Sequence, residues 1–295
     1  MNTATRDKLW LAVSPGLFVL LWSSGFIGAK YGLPYIEPLT FLLLRFVCVI
    51  GLLLLVAFAL RRPWPHTPAR WGHIAVAGAL IHAGYLSGVF VAIHLGMPAG
   101  IVAVIVGIQP LLTAFISARL LGERLARRQW FGLVLGFAWV VLVVLDKQGL
   151  SGASAAGVGF AILALFSITL GTVYQKRHCA ELDIWTGSAI QFAASALVLL
   201  PFTLAFETRV IRWSGDFVFA LLWLIFVLSL GAISLLHLLI RRGAATRVSA
   251  MFYLVPPMTA LLAFMVFGER LGLSAIAGMA LAAAGVAIVV RPVKP

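Results

Sequence analysis

Long apolar runs alternate with short polar connections along the whole chain. Ten runs stand at residues 9–30, 38–60, 71–93, 98–118, 129–146, 155–175, 184–206, 217–239, 248–267 and 272–290. Each holds roughly 18 to 24 residues, and a helix rising 1.5 Å per residue then spans about 30 Å of hydrocarbon. No run carries Asp or Glu in its interior. The pattern predicts an all-α polytopic membrane protein with ten transmembrane helices. Connections are too short for a soluble domain. The Arg61–Arg70 stretch holds Pro63, Pro65 and Pro68, which stop helix continuation and predict a turn. Arg6 and Lys8 precede the first run, but its core passes Trp22 without a small-x-small cleavage site, so it reads as a retained helix.

Composition supports the same class. Hydrophobic residues make up 62% of the chain, charged residues 11%, and the mean hydropathy is +1.08. A soluble fold cannot hide that much apolar surface. The net charge of +13 forms no stripe or module for nucleic acid. Of the 22 Lys and Arg, sixteen fall at loop ends on one side, five on the other, and Arg45 inside a helix. The positive-inside rule then predicts that both termini are cytoplasmic. Cys48 and Cys179 form no close pair and no metal-ligand spacing.

A repeat runs through the chain at a spacing of 146 residues. Gln109–Leu125 (QPLLTAFISARLLGERL) matches Val255–Leu271 (VPPMTALLAFMVFGERL). Pro110 pairs with Pro256, Thr113 with Thr259, and Gly122-Glu123-Arg124 with Gly268-Glu269-Arg270. Lys30 and Lys176, Phe46 and Phe192, and Gly132 and Gly278 keep the same offset. The expected halves are 1–146 and 147–295. Five spans each is an odd number, so the halves enter the membrane in opposite directions. Such inverted repeats are the usual architecture of alternating access, although a channel can also use them.

The motifs resemble the ten-helix EamA branch of the drug/metabolite transporter superfamily. The resemblance lies in Leu21–Lys30 (LWSSGFIGAK), in Glu37-Pro38-Leu39-Thr40-Phe41 with Leu44-Arg45-Phe46, and in the two Gly-Glu-Arg endings. It covers about residues 9–290 and implies secondary transport of small metabolites, often export of amino acids. It also implies a basket-like bundle whose cavity is formed mainly by the first, third, fourth, sixth, eighth and ninth helices. The chain is further similar to the aromatic amino acid and methyl viologen exporter group. The second half departs from the pattern: Ser167–Lys176 lacks the tryptophan, and Gln191 stands where an arginine would match Arg45.

Several polar and aromatic residues are cavity candidates. Trp22 shares a helix face with Phe18 and Gly25 near mid-membrane, where its indole N–H needs a partner. Gln109, Thr113 and Ser117 share another face. His82 and Tyr85, with His237 and Tyr253, are polar groups at or near membrane depth, and each could instead be satisfied by a neighbouring helix. His82 is the proton-sensitive candidate. Proton coupling, facilitation and exchange all remain open. Arg45 has three readings: snorkelling to the outer interface, bonding backbone carbonyls near a gate, or binding a substrate carboxylate. Lys30 and Glu37 could pair across their short loop.

Gly122, Glu123, Gly268 and Glu269 are expected at gate hinges or turns. Pro110, Pro256 and Pro257 are expected to free carbonyls one turn back, for substrate binding or bending. Gly132 and Gly136 form a GxxxG suited to scaffold packing. No metal, nucleotide or nucleophile motif is present, so no enzyme chemistry and no cofactor are expected. The expected partners are a small-molecule substrate and membrane lipids, with no nucleic acid and no obligate protein.

Overall fold

A computed structural model describes residues 3–121, 154–179, 182–232, 235, 252–269 and 276–277. Its helices are α1 (Thr3–Gly32), α2 (Pro38–Ala59), α3 (Pro68–His94), α4 (Ala99–Val106), α5 (Gln109–Leu121), α6 (Ala155–His178), α7 (Ile184–Phe206), α8 (Gly215–Ala232) and α9 (Val255–Phe267). Among the described residues, six stretches are long and apolar enough to cross a membrane: α2, α3, Ala99–Ser117 across α4 and α5, α6, α7 and α8. The 30-residue α1 is also long enough. The expected fifth run, and nearly all of the tenth, lie outside the described residues.

Local chemistry sets the helix starts. Pro38 and Pro68 occupy first-turn positions, where a missing N–H costs nothing. Ser154 accepts from the Gly157 N–H, Asp183 from those of Trp185 and Thr186, and Ser214 from that of Phe217. These caps satisfy donors that a helix end leaves orphaned. Large apolar side chains such as Leu55, Leu197, Phe206 and Met265 point outward, which suits a lipid-facing shell. The buried core is rich in Phe, with Phe18, Phe41, Phe46, Phe90, Phe192 and Phe217 fully enclosed.

Periodicity did not anticipate two departures from regular helix. The fourth run is broken: α4 ends at Val106, Gly107 and Ile108 turn, and α5 restarts at Gln109. A 3-10 turn, Phe252–Leu254, precedes α9, which begins at Val255. Gln109 and Val255 are 146 residues apart. The third and eighth runs widen into π-type turns at Ala79–Gly84 and Trp223–Ala232. The second of these contains the positions 146 residues beyond the first. Pro110 therefore sits in the first turn of a restarting helix and Pro256 in the first turn of α9, not in a helix interior as the sequence suggested. A first-turn proline needs no N–H bond, and its fixed φ favours the restart.

One end of the bundle, predicted to face outward, is tied by carboxylates. Glu37, preceding α2, accepts from the Thr208 N–H and hydroxyl, both at 2.7 Å, and from the Arg209 N–H at 3.0 Å. Reciprocally, Glu207, following α7, accepts from the N–H groups of Leu39 and Thr40 at 2.7 and 2.6 Å. Asp216 accepts from the hydroxyls of Tyr31 and Tyr35. Ile36 and Ile211 form an antiparallel bridge. The expected Lys30–Glu37 pair does not form, because Glu37 turns to the α7–α8 connection and Lys30 finds Glu269.

Burial alone would raise the Glu37 carboxyl, but the Thr208 and Arg209 hydrogen bonds outweigh it and hold it below its ordinary 4.5. A depressed carboxyl stabilises the fold fully above its unfolded value, and that stabilisation is lost as pH falls through the folded value. Thermal stability in detergent should therefore be insensitive to this group from pH 7 down to about 4.5 and fall below that. In Glu37→Gln the acid-side drop should be smaller. An identical acid profile for both proteins would remove Glu37 from the clasp.

Candidate substrate cavity

A cavity of about 90 Å³ lies between α1, α2, α3, α6, α7 and α8. α1 contributes Trp22, Gly25 and Phe26, and α2 contributes Arg45. The π turn of α3 brings Ile81 and His82, and its next turns bring Tyr85, Leu86, Val89 and Phe90. Ile168, Phe192 and Leu228 close the far wall from α6, α7 and α8. π-type turns concentrate at functional sites, since the extra residue re-aims side chains that a regular helix would stack. Here both π segments reach the same cavity. Trp22 and Ile168, like His82 and Leu228, are 146 residues apart. The first half thus supplies the polar side chain at each position and the second half an aliphatic one.

The wall is mostly apolar and aromatic. Trp22 meets Phe252 edge-on at 5.1 Å and Phe18 at 5.5 Å, which fixes its ring against the turn that precedes α9. Phe18 is fully buried behind Trp22 in a small cluster with Val19 and Leu235, away from the cavity wall. His82 stacks on Phe192 at 4.1 Å, and Phe192 in turn meets Phe46 at 5.2 Å. Phe90 packs on Phe41 at 5.5 Å and Phe41 on Phe217 at 5.4 Å. This aromatic row stands between the cavity and the carboxylate-tied end.

Arg45 is the cavity's one fixed cation among the described residues. It is only 3% exposed, so it does not snorkel, and its described bond is to a side chain, not to backbone carbonyls. Its Nη2 donates to the Ser229 hydroxyl at 3.0 Å, while Nε and Nη1 have no partner. Depth counting along α2 could not reveal this, because which way a long side chain turns depends on the helices that cover it.

The other expected residues fall elsewhere. Gln109 donates to the Thr113 hydroxyl at 3.0 Å and to that of Thr172 at 3.3 Å, tying α5 to α6. Ser117 is buried, and its hydroxyl has no partner. Neither Gln109, Thr113 nor Ser117 lines the cavity described here. Pro256 is buried in the first turn of α9, followed by Pro257. His237, Gly122, Glu123 and the Tyr253 side chain lie outside the described residues.

Gly268 ends α9 in the left-handed region at φ 66°, which glycine adopts without strain. The reversal aims Glu269 back at the bundle. There its carboxylate pairs with Lys30 of α1 and accepts from the Ala99 and Gly100 N–H groups at 3.1 and 3.4 Å. The start of a helix favours an acid, so one carboxylate joins the ends of α1, α4 and α9. Lys30 also lies over the Phe267 ring at 4.8 Å. Lys30 is four residues beyond Phe26, so this junction sits about 6 Å further along α1 than the cavity wall.

The profile of the EamA-like transporter family matches residues 12–145 and again 155–291. The uncharacterized transporter YvbV of Bacillus subtilis is 32% identical over 289 residues, covering 97% of this chain and 92% of its own. A probable amino-acid metabolite efflux pump of Salmonella typhimurium is 28% identical, covering 92% of each chain. The uncharacterized inner membrane transporter YedA of Escherichia coli K12 is 28% identical over 90% of this chain and 86% of its own. A solved crystal structure shares the fold with a TM-score of 0.66 at 21% identity, covering 94% of this chain and 95% of the other. With an apolar helical bundle, an internal cavity and family matches across both halves, the chain belongs to the EamA-like transporter family: it is an integral membrane carrier of a small molecule, not an enzyme.

Proposed function

We propose that this carrier exports small amphiphilic metabolites, amino acids foremost, across a bacterial inner membrane by alternating access. In this reading, residues 1–146 and 147–295 are two five-helix repeats of opposite orientation around one cavity, and both termini face the cytoplasm. The observation that carries it is the recurrence of a π-type turn at the 146-residue spacing, with both π turns on the cavity. A discontinuous helix, as in the fourth run, is a mark of carriers that rock around a fixed site. The names of the Salmonella and Escherichia relatives support the cargo and the membrane.

The Lys30–Glu269 junction fits a closed outer gate in this scheme. By the repeat, its counterparts are Lys176 and Glu123, which the charge count places at the cytoplasmic face. Gates built at equivalent places of inverted halves would close in turn.

Transport in proteoliposomes against a panel of labelled amino acids, amines, sugars and organic acids tests the reading. Saturable uptake of a subset is expected, with branched-chain amino acids first because of the apolar Trp22 wall and the small cavity. Trp22→Ala should slow that subset about fivefold, from the lost ring contact, with little effect on small polar solutes. Trp22→Phe should restore most of the rate. Equal rates for wild type and Trp22→Ala across the panel would contradict a transport role for this cavity.

A further inference from the structure

We propose that Arg45 is an anion-binding site inside the cavity and takes the carboxylate of the transported solute. This rests on the carrier reading above and narrows its substrate class to carboxylates with a compact apolar body.

The argument begins with unmet valence. A guanidinium carries five N–H donors and stays charged. Arg45 uses one of them, on Ser229. Nη2 has two hydrogens, so whichever one Ser229 takes, a complete two-donor edge is left, formed with Nε or with Nη1. Both of those nitrogens are buried and unpartnered. No carboxylate pairs with Arg45 among the described ion pairs. A buried charge without a partner is strongly unfavourable, and a two-donor edge matches a carboxylate in geometry and in charge.

A structural role for the charge is weakened by the repeat. The position 146 residues on is Gln191, a neutral side chain that donates to the side-chain Oε1 of Gln175 at 3.0 Å. An equivalent place in the second half is thus filled without a cation. Ser229 does not need the arginine either, since its own hydroxyl donates to the Leu224 carbonyl at 3.0 Å.

The surroundings define the rest of the ligand. The lining that faces Arg45 is Trp22, Phe26, Phe90 and Phe192, with His82 and Tyr85 as the polar neighbours. Among the described residues, no acidic side chain lines the cavity to hold a substrate ammonium. The 90 Å³ of space is below the roughly 150 Å³ of an apolar cavity that admits benzene. A carboxylate with a branched three- or four-carbon body is therefore the best match to the cavity as it stands.

Binding of three compounds of similar size to the full chain in lipid nanodiscs at pH 7 tests this. Isovalerate carries the carboxylate alone, valine carries carboxylate and ammonium, and valinamide carries the ammonium without the carboxylate. Tryptophan fluorescence and thermal stabilisation serve as readouts. Isovalerate and valine should bind about tenfold or more tightly than valinamide, as expected for a buried charge-assisted pair. Isovalerate binding above valine would mark organic acids as the cargo, and the reverse order amino acids. Arg45→Met should stay monodisperse and lose the preference. Arg45→Lys should keep part of it, having the charge but not the fork. Equal binding of all three by the wild type would overturn the site, as would a folded Arg45→Met that still prefers carboxylates. If the preference holds but none of the panel is transported in liposomes, the anion site stands and the carrier reading of this cavity falls.

Discussion

Gly78→Val should cost most of the folded protein. A Cβ at Gly78 would lie 2.5 Å from both the Cα and the carbonyl oxygen of Gln191, and 2.8 Å from its Cβ. The obstruction is the α7 backbone, which cannot step aside as a side-chain tip can. α3 and α7 must separate, and with them the π turn of α3 that carries His82 and the α7 segment that carries Phe192. Overpacking costs typically 1–3 kcal/mol, and a backbone clash should reach the upper end, about 3 kcal/mol. Gly72, on the same helix, has nothing within 4 Å of its built Cβ and supplies the control. Fluorescence-detected chromatography after heating should show Gly78→Val aggregating many degrees earlier than Gly72→Val. Matching profiles would mean that close approach at Gly78 does not set the bundle.

Breaking the junction at the end of α9 should have the second large effect, this time on function. Lys30 and Glu269 have side chains 30% and 9% exposed, so their attraction is less screened than that of a surface pair. The carboxylate also holds two N–H groups at the start of α4. Hydrogen bonds to charged groups contribute roughly 1.5–3 kcal/mol, which converts to about a 10- to 150-fold change in the balance between the closed and the open junction. Glu269→Ala should therefore raise labelling of outer-cavity cysteines and slow transport, with little loss of fold. The double variant Lys30→Glu with Glu269→Lys should recover only part of the rate. It restores the ion pair but sets a cation against the start of α4, where the dipole disfavours it. Complete recovery would mean that the bonds to Ala99 and Gly100 contribute nothing.

Much of this architecture was legible in the sequence, because lipid imposes a simple rule on length and polarity. The run at 184–206 coincides with α7, and the run at 38–60 differs from α2 by a single residue. Trp22, His82 and Tyr85 were also readable as cavity residues, since amphipathic side chains at mid-membrane require partners. What escaped was geometry that depends on a second helix. Pro110 and Pro256 looked like kinks, whereas each lies in the first turn of a helix. The π turns leave the 3.6-residue pattern too briefly for hydropathy to register them. Lys30 and Glu37 are close in sequence, yet each is claimed by a distant partner, Glu269 and Thr208 respectively. Gln109 has the spacing of a cavity residue but is held by Thr172 of α6. For Arg45, composition could say only that a buried cation needs an explanation. The empty donors, and the cavity they line, appear only once α8 is laid beside α2.

In alternating access, the ends of α1 and α9 joined by Lys30 and Glu269 must part and rejoin in each cycle. Cysteines placed at positions 30 and 269, in a background with Cys48 and Cys179 replaced by alanine, allow those ends to be bridged in proteoliposomes by a short bis-methanethiosulfonate, which spans side chains that meet tip to tip where a direct disulfide would not. Bridging should lower transport to the level of empty liposomes and a reductant should restore it, while either single cysteine should transport at the same rate with and without the reagent. Undiminished transport with the two ends bridged would rule out a gate at this junction.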